Sequence, residues 1–149
     1  MTQSSTNAMY AGDLSAQDAW STIEADATAQ LVDVRTAAEW AFVGIPDLSS
    51  LDRDACLVEW QSYPTGTVDS HFAEKASELL RESGSGFDTP VLFLCRSGAR
   101  SRAAAIAMTK AGWSRAYNIV GGFEGDLDAQ RHRGVSNGWK AAGLPWKQT

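Results

Sequence analysis

The sequence predicts an α/β domain with a mostly parallel sheet and helices on both faces, and three observations predict it. Short apolar segments alternate with segments of helical spacing: Leu31-Val32-Asp33-Val34, Val91-Leu92-Phe93-Leu94 and Ala116-Tyr117-Asn118-Ile119-Val120 are the clearest of them. That alternation is the pattern of parallel strands joined by helical crossovers. The run after Pro90 is apolar at every position, which suits a strand covered on both faces. Residues that carry chemistry fall at strand ends, Asp33-Val34-Arg35 at one and Cys95 at another. Sites in open parallel sheets lie at the carboxyl ends of strands.

Taken in order, residues 1–12 are small and polar and read as a disordered tail, which leaves 13–149 as one domain. Ser15-Ala16-Gln17-Asp18 resembles a capping box opening a helix to about Ala25, with Ala19, Trp20 and Ile23 inward. Leu31 begins a short strand. Thr36-Ala37-Ala38-Glu39 is a second capping-box pattern and predicts a helix of one or two turns. Residues 46–54 read as loop, and Cys56-Leu57-Val58-Glu59-Trp60 as a strand. Asp69 or Ser70 caps a helix in which Phe72, Ala76, Leu79 and Leu80 keep helical spacing. A Gly/Ser loop over 83–89 leads into the Val91 strand. Arg102-Ala103-Ala104-Ala105-Ile106-Ala107-Met108 is alanine-rich without a breaker, so it predicts a helix closed by Gly112. After the strand at 116–120, Gly121-Gly122 ends the sheet, and Trp139 to Ala142 reads as a short helix stopped by Gly143 and Pro145.

Cys95-Arg96-Ser97-Gly98-Ala99-Arg100-Ser101 joins a buried strand to a helix start. The first N–H groups of a helix have no helical partner, and curled around one point they cradle an anion. The helix dipole, Arg96 and Arg100 add positive charge, so the loop favours a thiolate at Cys95. A cysteine is often only a small buried hydrophobe. A Gly/Ser/Arg loop is no place for one, and Cys95 is therefore the candidate nucleophile. Cysteine phosphatases separate the Cys and Arg by five residues, usually with a His before the Cys. Here four residues intervene and Leu94 stands before Cys95. A smaller ring suits one sulfur bonded to Cys95 better than a whole phosphate.

This loop resembles the active-site loop of the rhodanese-like sulfurtransferases. Two further stretches agree with the resemblance: Asp33-Val34-Arg35 with Glu39-Trp40 and Gly44-Ile45-Pro46, and Gly121-Gly122-Phe123 with Gly138-Trp139-Lys140-Ala141-Ala142-Gly143-Leu144-Pro145. They lie in the family's order. The sequence departs from the pattern in two places: no His precedes Ile45-Pro46, and residues 124–137 look like an insertion. The resemblance implies a single rhodanese-like domain with a five-stranded sheet. It also implies sulfur transfer through a Cys95 persulfide, from a donor such as thiosulfate to cyanide or a thiol. Cys95 would be catalytic, with Arg96, Ser97, Gly98, Ala99, Arg100 and Ser101 binding substrate. Asp33, Arg35 and Glu39 would support the site from behind, and no metal or organic cofactor is implied. A low-turnover sulfur carrier or protein-docking module is the alternative. A phosphatase or arsenate reductase of the same fold is disfavoured by the four-residue spacing.

Composition narrows the partners. A formal net charge of −5 argues against nucleic acid or an anionic membrane surface. The chain has only Cys56 and Cys95, so no disulfide framework is implied, and a free reactive thiol fits a reducing cytoplasm. The N-terminal stretch lacks a basic region followed by an apolar run, and no stretch approaches the length of a membrane span. Cys56, among Leu57, Val58 and Trp60, reads as an inert buried thiol. His132, between Arg131 and Arg133, reads as part of a solvated charged face. Neither His has a Cys or His at metal-ligand spacing, which argues against structural zinc. Glu124, Asp126 and Asp128 read as loop without EF-hand spacing.

Overall fold

The computed structural model describes residues 9–148. The elements in chain order are β1 (Gly12–Leu14), α1 (Ala16–Ala25), β2 (Gln30–Asp33), α2 (Ala37–Val43) and β3 (Ile45–Pro46). A 3₁₀ turn (Ser49–Leu51) follows, then β4 (Cys56–Leu57), α3 (Phe72–Glu82), β5 (Val91–Leu94), α4 (Ala99–Lys110), β6 (Ala116–Ile119) and β7 (Trp146–Lys147). Five strands form one sheet in the order β1-β6-β5-β2-β4, and every pairing in it is parallel. β3 and β7 make a separate antiparallel pair, with Ile45 opposite Lys147.

The two faces of the sheet follow from the period-2 alternation of a strand. In β5, Val91 and Phe93 join a core layer with Phe72, Ala76 and Leu80 of α3 and Ala104, Ala105 and Met108 of α4. Leu92 and Leu94 point the other way, to Ala16, Ala19 and Ile23 of α1 and to Phe123 and Trp139. All four β5 side chains are buried, and each such burial is worth roughly 1.5–3 kcal/mol relative to exposure. β5 is thus the central, doubly covered strand, and its C-terminal end carries Cys95.

Local signals hold the helices in place. The Ser15 hydroxyl accepts the Asp18 N–H at 3.1 Å at the start of α1. At α2 the Thr36 hydroxyl accepts the Glu39 N–H while the Glu39 carboxylate accepts the Thr36 N–H, a complete capping box. α4 buries Ser101, Ala104, Ala105 and Met108, and its small residues let the helix lie close to β5 and β6.

The structure corrects several expectations. The tail was expected to reach Gly12; residues 1–8 lie outside the described residues, but Gly12 starts β1, and the Ala11 N–H donates to Ala116 O at 2.8 Å. This edge strand is short and polar, so it left no periodic signal. The strand expected over 56–60 pairs only at Cys56 and Leu57, although Val58 and Trp60 still donate to Asp33 O and Val34 O beside it. The strand expected to Val120 ends at Ile119, and α3 begins at Phe72, with Asp69 accepting the His71 N–H just before it. The loop expected over 46–54 contains Pro46 of β3 and the 3₁₀ turn. Residues 139–142 form turns rather than a helix, because Gly138 and Gly143 on either side leave room for a single turn. Among the described residues no helix is long and apolar enough to cross a membrane.

Candidate active site

Cys95 follows β5 directly, and the chain then bends at Gly98 into α4. Gly98 precedes the helix with φ 124°, a conformation that side chains rarely adopt. The bend turns the Gly98 N–H onto the Cys95 Sγ at 3.1 Å. The Ser101 hydroxyl, one helical turn on, lies 3.2 Å from the same sulfur. Beyond Gly98, the N–H groups of the first turn of α4 have no intrahelical partner, and the dipole places positive charge at that end. Cys95 itself is 1% exposed. The loop was expected to leave it open; instead it folds over the sulfur and seats Cys95 in the α3/α4 core layer.

The Gly-Gly turn explains how the loop keeps its shape. The Phe123 N–H donates to Cys95 O at 2.8 Å, and the N–H groups of Glu124 and Gly125 donate to Arg96 O at 3.0 and 3.1 Å. These bonds hold the carbonyls of Cys95 and Arg96 toward the 121–125 turn. Gly122, with φ 58°, packs so close that a Cβ there would strike the Cys95 carbonyl oxygen and approach Arg96 O to 2.6 Å. Gly138-Trp139 closes the turn from behind: the Trp139 N–H donates to Gly122 O at 2.8 Å, and its indole to Pro145 O at 2.7 Å. The Cys95 loop, the Gly-Gly turn and the Gly138-Trp139 stretch are therefore one structural unit beside one sulfur.

Arg100 is braced. Its Nη1 and Nη2 donate to the two carboxylate oxygens of Glu39 at 2.7 and 3.0 Å. Burial pushes the Glu39 carboxyl up, but the Arg100 guanidinium and the Thr36 N–H outweigh it and hold Glu39 below the ordinary glutamate value. The Glu39 carboxylate in turn raises Arg100.

Asp33 and Arg35, expected behind the site, are fully buried and pair at 2.6 Å. Arg35 also donates to Gly44 O at 2.8 Å and lies over the Phe123 ring at 4.2 Å. They tie the end of β2 to the start of β3 and to the Gly-Gly turn. Arg96 and Ala99 are exposed and Ser97 is half-buried. Among the described residues no hydrogen bond or ion pair holds the Arg96 guanidinium.

Arg96 and Arg100 line a cleft of about 530 Å³. Glu39, Phe42, Tyr63 and Arg133 are also on its wall. Phe42 and Tyr63 are 82% and 71% exposed at its rim. Sequence reasoning missed Arg133, which sits in the segment taken for an insertion; its neighbour His132 is exposed, as expected of a charged face. It also missed Asn118, buried in β6, whose Oδ1 lies 2.6 Å from the Ser101 Oγ. Cys56 is half-buried, and burial pushes its thiol up. Among the described residues, no group of three or more His, Cys, Asp or Glu side chains is placed to hold a metal ion.

The chain is similar to several known proteins. Residues 11–149 match the family described as the STR4 middle domain. A solved structure, that of Rv0390 from M. tuberculosis, is 48% identical and covers 94% of this chain and 99% of its own, with a TM-score of 0.81. An uncharacterized protein of Rickettsia prowazekii is 36% identical over 117 residues, 78% of this chain and 81% of its own length. A thiosulfate sulfurtransferase, GlpE of Actinobacillus succinogenes, is 36% identical over a shorter 59 residues, 40% of this chain and 41% of its own. The chain belongs to the STR4 middle-domain family and has the rhodanese-like fold of sulfurtransferase-type proteins.

Proposed function

We propose that the protein transfers a sulfane sulfur through a persulfide on Cys95. The observation that carries this reading is one buried sulfur at the carboxyl end of the central strand that accepts the Gly98 N–H at 3.1 Å and has the Ser101 Oγ 3.2 Å away. The Cys95 thiolate attacks the outer sulfur of thiosulfate; the S–S bond of the donor breaks, and sulfite leaves with the bonding pair. The product is Cys95–S–S⁻. N–H groups of the loop and the positive end of α4 stabilise the terminal charge, as an oxyanion hole does for oxygen. Cyanide or a thiolate then takes the outer sulfur and returns Cys95 as thiolate. This is two-step covalent catalysis.

Arg96 carries a free charge at the cleft and meets the anionic donor there. Arg100 shapes the loop through Glu39 and contributes its field. The cleft is far larger than thiosulfate requires, which leaves room for a bulkier thiol acceptor.

The test is intact mass after thiosulfate treatment together with thiocyanate formation from cyanide. The wild type gains one sulfur and turns over, whereas Cys95→Ser, which keeps a hydroxyl in the cradle, gains none and forms no thiocyanate. Wild-type rates in the variant would overturn the assignment. The two exposed aromatic side chains at the rim favour a second reading, a sulfur carrier docking on a protein partner. Full persulfide loading with slow turnover to cyanide would select it.

A further inference from the structure

A line of polar side chains leads from the buried sulfur to the edge of the sheet. The Ser101 Oγ stands 3.2 Å from Cys95 Sγ, 3.2 Å from Gly98 O and 2.6 Å from Asn118 Oδ1. The Asn118 Nδ2 donates to Asp13 Oδ1 at 3.1 Å, and Tyr10 OH donates to the same oxygen at 2.8 Å. Ser101 is fully buried and Asn118 is 3% exposed, whereas Asp13 is at the surface. Three strands and a helix are needed to assemble the line: β5 ends at Cys95, α4 carries Ser101, β6 carries Asn118 and β1 carries Asp13.

A hydroxyl has one proton, and here three acceptors compete for it. Asp13 decides the contest from a distance. A carboxylate only accepts, so it fixes the Asn118 amide with Nδ2 toward itself and Oδ1 toward Ser101. The shortest contact then draws the Ser101 proton to Asn118 and leaves an oxygen lone pair facing the sulfur. That arrangement suits a neutral thiol, which can donate S–H to Ser101, and a persulfide, whose inner sulfur carries no charge. A bare thiolate needs the opposite orientation. When the thiol ionises and its proton leaves to solvent, Ser101 rotates its own proton from Asn118 to Sγ.

We propose that Asn118 and Asp13 are positioning residues that hold the Ser101 proton away from Cys95 and so restrain the resting thiolate. The proposal rests on Cys95 being the nucleophile, but it concerns the thiol alone and not the sulfur donor. Other charges lie nearby: Arg100 from α4 interacts with Cys95 and with Asp33 of β2, Asp33 is paired with Arg35, and Glu39 from α2 is held by Arg100. At the outer end, Arg102 reaches Tyr10 OH at 3.3 Å. Burial and the bond to Asp13 push the Tyr10 phenol up, so it stays a neutral donor.

Iodoacetamide alkylation of Cys95 in the full chain tests this without sulfur transfer; the thiolate displaces iodide and forms a thioether. The readout is the ratio of the Cys95 rate at pH 6 to that at pH 9, followed by peptide mapping. Asn118→Leu keeps the volume, changes no charge and frees the Ser101 proton for Sγ. Its ratio should rise about 3- to 10-fold, the worth of one redirected hydrogen bond. Asp13→Ala frees the amide to turn and should raise the ratio about twofold. That rise should persist in 1 M salt, where the field of an exposed carboxylate is screened over roughly 3 Å. Ser101→Ala should lower it. A purely structural role for Asn118 would slow both rates and leave the ratio unchanged, and an unchanged or lowered ratio in Asn118→Leu overturns the proposal. Should Asn118→Leu fail to fold, Asp13→Ala, altered only at the surface, decides alone, and an unchanged ratio in it overturns the proposal equally. A shifted ratio with no thiosulfate turnover would leave the proton placement standing and count against the sulfur-transfer reading instead.

Discussion

Glu39 and Arg100 are 61 residues apart in sequence and meet through two hydrogen bonds of 2.7 and 3.0 Å. The pair joins α2 to the start of α4, and so fixes the helix end that faces the Cys95 sulfur. A guanidinium spent on a two-pronged carboxylate contact is a brace before it is a substrate ligand. The same Glu39 closes the Thr36 capping box, so one carboxylate terminates one helix and positions another.

Glu39→Gln isolates the charge, because glutamine can still close the capping box. We expect a loss of about 1–2 kcal/mol in urea unfolding at pH 7. The Glu39 carboxyl is lowered in the fold, so its ionised form is the stabilising one. Its contribution is complete above the unfolded value near ~4.3 and is lost as pH falls through the lower folded value. The difference between wild type and variant should therefore shrink on acidification from about pH 5 to about pH 3. A gap that stays constant over that range would show that the charge is not what stabilises.

Gly122→Ala tests the seat of the loop. The added Cβ would meet the Cys95 and Arg96 carbonyls, and φ is 58°. Relief needs the loop or the Gly-Gly turn to move, at a cost of about 2–4 kcal/mol. The urea midpoint should fall accordingly, and sulfur transfer should fall further than that stability loss explains, since the Gly98 N–H would shift from the sulfur. Gly134→Ala, where nothing lies within 4 Å, provides the control for a positive-φ glycine without a clash.

Much of this site was legible in the sequence because its parts are local. Val91–Leu94 declared itself by four apolar residues in a row, and Gly98 and Ser101 follow Cys95 closely enough for helix geometry to bring them to the sulfur. Thr36 and Glu39 announced their box by spacing alone. Arg100 could be placed at the helix start, but its partner could not, because α2 and α4 meet only through the fold. Asn118 reads as one polar residue in an apolar strand, and its meaning depends on β6 lying beside β5 and on β1 lying beyond it. Asp13 belongs to a three-residue edge strand, too short for periodicity. Arg133 reaches the cleft from a segment whose course is set by turns and by the Asn137 side chain, which accepts the Asp126 N–H at 2.8 Å.

Loop size should decide which group the cradle accepts. Inserting one glycine between Gly98 and Ala99 moves the start of α4 away from the sulfur. The Gly98 contact at 3.1 Å and the Ser101 contact at 3.2 Å cannot both survive it. Sulfur transfer should drop by about tenfold or more, since misplacement of about 1 Å can cost that much. The widened ring should gain affinity for phosphate or arsenate, read as protection of Cys95 from alkylation. Should the native protein hydrolyse an aryl phosphate well, the size argument fails.

Exposure and charge rank the two cysteines in opposite orders, which makes their alkylation decisive. Cys56 is half-buried, whereas Cys95 is 1% exposed, so access alone would label Cys56 first. Burial pushes the Cys56 thiol up, with no charge or donor to oppose it. Cys95 receives the Gly98 N–H, lies at a helix N-terminus and faces Arg100. The thiolate is the reacting form, and the N–H and the helix end beside Cys95 favour negative charge on its sulfur, so charge rather than access should set the order. Brief iodoacetamide treatment near pH 6 should therefore label Cys95 well before Cys56. Prior thiosulfate should leave the Cys95 product heavier by the transferred sulfur. Equal labelling, or Cys56 first, would mean that access governs and that the loop does not activate its cysteine.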